Sequence, residues 1–112
     1  MSLVPVTSQS ESVPQRKLST QMRAVCWVLQ ADPDLKQRIE PHINFETETI
    51  DWPSIFKISF GSGHRAAVGW IYSIWTDEPR PRANIFDGAL SMSPNLQAAV
   101  LNALALRWGL GR

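Results

Sequence analysis

The stretch SPNLQAAVLNALALRWGLGR, residues 93–112, constrains this chain more than any other. Ser93 stands where a helix N-cap belongs, and Pro94 suits the first helical position. Arg107 falls in the last turn, where a cation meets the negative end of the helix dipole. Gly109 provides the stop, and Leu110 behind it is placed to fold back on Ala105 in a Schellman-type contact. From Ala98 to Leu106 only Asn102 is polar. A helix apolar nearly all round is buried on more than one side. The segment is therefore expected to pack on a second helix of the same kind.

That second helix is predicted near the start of the chain. Ser19 and Thr20 are both good N-caps. Leu18, Met22, Val25, Cys26 and Leu29 recur at helical spacing, and Ala24, Trp27, Val28 and Ala31 repeat it on the adjoining face. Residues 18–31 and 94–108 should form the centre of the molecule.

Prolines and caps divide the rest into short pieces. In ADPDLKQRIEP, Asp32 caps a short helix, Pro33 takes its first turn and Pro41 ends it. Asp34 lies near its positive end, and Leu35 and Ile39 are its only apolar stripe. In HINFETETIDW, Ile43, Phe45, Thr47 and Thr49 alternate with polar residues, the period of a half-buried strand. No second strand is evident, so an extended connector is expected, with Glu46 and Glu48 pointing outward. Asp51 and Pro53 open another short helix, with Ile55, Phe56 and Ile58 inward. Pro79 and Pro81 forbid a helix through TDEPRPRAN. NIFDGALSM is at most two helical turns. The fold class predicted is all-α, a single bundle of about five helices over residues 18–112. An α+β fold with a minor strand around 43–50 is the alternative. Residues 1–17 hold four serines and two prolines and are expected to be a flexible arm.

A chain of 112 residues makes one domain with a real core. Its net charge of +1 does not draw it globally to nucleic acid or membrane. The charges are unevenly spread: +2 over residues 1–31, −4 over 32–51 and +3 over 52–112. The single cysteine, Cys26, cannot form an internal disulfide and reads as a small buried hydrophobe. The amino terminus lacks the pattern of a secretory signal, and no window is apolar enough for a membrane span. A cytoplasmic protein is the expectation.

SFGSGHRAAVGW, residues 59–70, carries glycines in a pattern that invites a chemical reading. A P-loop needs more widely spaced glycines and a lysine. A dinucleotide loop needs a surrounding βαβ unit, which the rest of the chain cannot supply. A simpler account makes Ser62 the cap of a helix starting at Gly63. His64 and Arg65 then occupy the first turn, the wrong end for cations. An anion bound among Ser62, His64 and Arg65 would reverse that mismatch. His64 has no orienting acid nearby in sequence and is not read as a catalytic base.

The same helix has a second face, Arg65, Gly69, Tyr72, Ser73 and Thr76. It could meet a neighbouring helix or a partner anchored on Tyr72. Trp75 and Trp108 lie near helix ends, close to Arg80, Arg82 and Arg107, the residue types of interface hot spots. Arg80 and Arg82 on a stiff loop could also touch phosphates, but Asp77 and Glu78 cancel their field, and no polar recognition helix exists. Two histidines and one cysteine make no metal site, and no cofactor motif is present. The function expected is a small non-catalytic protein-interaction or adaptor module, with another protein or a second copy of the chain as partner. The alternatives are a nucleic-acid-binding accessory protein, through Arg65, Arg80 and Arg82, and a small-anion or metabolite binder at 62–65.

Overall fold

Ser19 starts the first helix as its residue type implies: its Oγ accepts from the Met22 N–H at 3.1 Å. The computed structural model describes residues 18–78 and 88–110. The arm expected at 1–17 lies outside them, as do Arg80 and Arg82. Helix α1 spans Thr20–Gln30, α2 Pro33–Ile39, α3 Trp52–Phe56, α4 Ser62–Thr76 and α5 Pro94–Arg107. A 3-10 turn, Glu40–His42, follows α2. Strands β1 (Ile43–Asn44) and β2 (Thr49–Ile50) form one small antiparallel ladder. The chain is thus mostly α, with minor strands.

The caps follow the sequence closely. Asp32 Oδ1 accepts from the N–H groups of Asp34 and Leu35, and Pro33 opens α2. Asp51 accepts from the Ser54 N–H and Oγ–H and starts α3. Ser93 Oγ accepts from the Leu96 N–H, with Pro94 at the first helical position of α5. Gly109 takes a left-handed φ of 73°. That turn lets the Leu110 N–H donate to the Ala105 carbonyl at 2.8 Å, closing a Schellman motif.

Residues 43–50 do not form an extended connector. They fold back on themselves, pairing Ile43 with Ile50 and Asn44 with Thr49. Asn44 Oδ1 accepts from the N–H groups of Glu46 and Thr47 and makes the turn. Glu48 completes it at a left-handed φ of 53°. Its carboxylate turns inward, contrary to expectation, and accepts from both the N–H and the Oγ–H of Ser19. An acid at the N-terminus of α1 suits the helix dipole. The hairpin is thereby tied to the first helix.

Helix α1 lies against α5, α4 and α2. Met22, Val25, Val28 and Leu29 of α1 meet Ile71 and Ile74 of α4, Leu96 and Val100 of α5, and Leu35 and Ile39 of α2 in one buried cluster. Each fully buried aliphatic side chain there stabilises the fold by about 1.5–3 kcal/mol relative to exposure. The Arg107 side chain crosses from the end of α5 to α4, where its Nε donates to the Ile74 carbonyl near the helix end at 2.9 Å. That contact supplies one of the carbonyls a helix end leaves open. No helix among the described residues is long and apolar enough to cross a membrane.

Candidate interaction surface

The residues singled out at the start of α4 come together, but not around an open anion site. The helix begins at Ser62, one residue earlier than expected. Gly61 is the N-cap, and no side chain caps this end. Ser62 is exposed. His64 is half-buried, and its Nε2 lies 2.8 Å from Asp32 Oδ2, with Nδ1 3.9 Å from Asp34 Oδ2. A carboxylate only accepts, so Nε2 carries the proton of that contact. The acid missing from the sequence neighbourhood of His64 is present in space, and its anionic partner comes from within the chain. Burial pushes the Asp32 carboxyl up, but hydrogen bonds from Leu35 N–H, His64 and Asp34 N–H outweigh it and hold it below its ordinary value. Arg65 is exposed and donates to the Phe60 carbonyl at 3.2 Å.

The glycines of the same stretch have separate reasons. A Cβ on Gly61 would meet nothing within 4 Å. A Cβ on Gly63 would lie 2.7 Å from the Ser91 carbonyl oxygen. Gly63 is there because the backbone of residues 88–92 crosses α4 at that point, which no local pattern reveals.

Tyr72 lies among rings of its own chain. Trp52 meets it edge-on at 5.0 Å, and Phe56 sits at 5.5 Å. Trp75 is half-buried against the core. The face proposed around Tyr72 is therefore occupied by α3. Arg80 and Arg82 lie outside the described residues.

A different surface stands open. Helix α5 fully buries Leu96, Ala99, Val100 and Ala103 along one side, with Leu104 and Leu106 packed partly buried against the core, so the expectation of burial on more than one side is corrected. At 100° per residue, Ala98, Leu101, Asn102, Ala105 and Trp108 fall on the opposite side. Leu101 is 69% exposed and Trp108 59%. Trp27, expected inside, is 49% exposed on the neighbouring α1. It borders a shallow groove of about 360 Å³ that Ala31, Asn95, Ala98, Ala99 and Asn102 also line. No residue of α5 from Pro94 to Leu106 is charged. The reason sequence reasoning missed this surface is that an all-apolar helix does not say which side its neighbours leave open. The signal was the excess itself, since one buried side needs only about three or four apolar residues per two turns.

A second concavity, of about 600 Å³, lies along the hairpin between Pro41 and Asp51 and includes His42, Asn44 and Glu46. Asp51 there is held below the ordinary carboxylate range by hydrogen bonds from the Ser54 hydroxyl and N–H. No group of three or more His, Cys, Asp or Glu among the described residues could hold a metal ion. Comparison with known proteins finds no matching family model, no similar curated protein and no similar solved structure.

Proposed function

We propose that the chain is a non-catalytic protein-interaction module that works through the outer face of α1 and α5. The observation that supports this is the exposure of three large apolar side chains on the outer side of these helices, Trp27 beside the groove at Ala98 and Asn102 and Leu101 and Trp108 on α5 itself, with no charged residue from Pro94 to Leu106. Large exposed apolar side chains clustered on one face mark contact surfaces, and tryptophan is enriched at their energetic centres. The two other chemistries considered lack such support. Arg65 donates to the Phe60 carbonyl and His64 meets Asp32, so both already have partners within the chain. A cytoplasmic setting belongs to the same proposal and suits a lone cysteine held as the thiol.

The test is affinity capture from lysate of the native host, with and without nuclease, using the full chain, Trp27→Ala and Trp108→Ala. A stoichiometric protein that survives nuclease and is lost with both variants supports the reading. Capture unchanged by both variants overturns it.

A further inference from the structure

Resting on that reading, we infer that the occupant of the α1/α5 face is a second copy of this chain, docked with the two α5 helices antiparallel about a two-fold axis. The argument begins with symmetry. A two-fold contact uses the same patch twice, so the patch must be complementary to itself. The exposed side of α5 has that property about its midpoint. With the axis between Leu101 and Asn102, residues at the middle of the seam that face each other sum to 203, and the two residues beside the axis each lie next to their own counterparts. Ala98 then faces Ala105 of the second copy, and small residues on both sides allow the helices to approach closely.

At the axis itself, Leu101 meets Leu101 of the second copy on one side of the seam and Asn102 meets its counterpart on the other. A carboxamide carries both donor and acceptor and can pair with itself. One polar residue in an apolar seam fixes register, as single asparagines do in coiled coils. Trp27 and Trp108 flank the seam. The absence of charge from Pro94 to Leu106 matters here, because a two-fold contact sets any charge near the axis against its own sign.

The area is sufficient for a weak dimer. With aromatic side chains of about 150–250 Å² each, half-exposed Trp27 and Trp108 together with Leu101 and the two alanines offer roughly 500 Å² per copy. Two copies bury about 1,000 Å², the lower bound for a specific interface. Dissociation in the range of about 1–100 µM is expected.

The experiment is sedimentation equilibrium of the full chain and of Leu101→Asp, from about 1 µM to about 500 µM, a range that spans that dissociation constant. The wild-type mass should rise from 12.6 kDa toward twice that value. Leu101→Asp should weaken association about thirtyfold or more, as expected for a central contact. Its circular dichroism should be unchanged, and Trp108→Ala serves in its place if it is not. Orientation is read separately, in a Cys26→Ala background, by air oxidation of Ala98→Cys mixed with Ala105→Cys. Mixed disulfides in excess over Ala98→Cys self-pairs support the antiparallel arrangement, and self-pairs in excess overturn it. A wild-type mass that stays at 12.6 kDa overturns the dimer. So does association unaffected by Leu101→Asp. A monomer that still loses a captured protein with Trp27→Ala and Trp108→Ala leaves the interaction module standing and removes only the second copy.

Discussion

His64 Nε2 sits 2.8 Å from Asp32 Oδ2, so the first turn of α4 is fastened to the N-cap of α2. One oxygen of that carboxylate caps the helix, and the other takes the imidazole. Both interactions favour the ionised acid. Because the folded Asp32 titrates below its unfolded value, its contribution is fully present above about pH 4. It is lost as pH falls through the folded value. Stability followed by chemical denaturation should drop on the acid side, and Asp32→Asn should flatten part of that drop. Asp32→Ala removes the cap as well and should cost about 1 kcal/mol at neutral pH. Such a loss corresponds to a melting temperature lower by about 4–8 °C.

The two glycines of GSG should respond differently. Gly63→Ala drives a Cβ against the Ser91 carbonyl and forces the backbone of residues 88–92 to shift. Overpacking of this kind costs about 1–3 kcal/mol. Gly61→Ala has open space, and at φ −68° it meets no backbone strain. It should cost no more than about 0.5–1 kcal/mol, because alanine is a poorer N-cap than glycine. Paired urea melts separate the two. Equal losses would show that the 88–92 segment does not cross α4 there.

Cys26 should be a slow thiol. Burial pushes it up to about 11, and Glu40 and Glu48 add to the effect against Lys36. At pH 8 the folded protein then holds about a hundredfold less thiolate than the unfolded chain, and reaction with a disulfide reagent should slow in proportion. The sign for stability follows. A thiol with a raised folded value favours the fold fully below about pH 9 and loses that advantage as pH rises toward 11. Cys26→Ala should remove that part of the alkaline loss.

Much of the helix plan is legible in the sequence because its signals are local. Ser93, Pro94 and Gly109 bracket α5, and Asp32 with Pro33 opens α2, each through contacts within a few residues. The unread parts depend on distant neighbours. His64 finds Asp32 from 32 positions away, and Glu48 finds Ser19 from 29. Gly63 is required by Ser91. The alternation over 43–50 came from a hairpin whose strands are two residues each, too short to announce a pair. The working face was hidden for another reason. Burial of Val100 and exposure of Leu101 look alike in an apolar run, and only the position of α1 and α4 distinguishes them.

The most direct test of the account compares Leu101→Asp with Val100→Asp in one pair of measurements, thermal melting and partner capture. Leu101 faces outward, so its substitution should lower the melting temperature by no more than about 4 °C while abolishing capture. Val100 is 3% exposed, and an acid there should unfold the protein or nearly so. A Leu101→Asp protein that melts as early as Val100→Asp would mean that this side of α5 is part of the core. One that melts normally and still captures its partner would mean that the face does not carry the interaction.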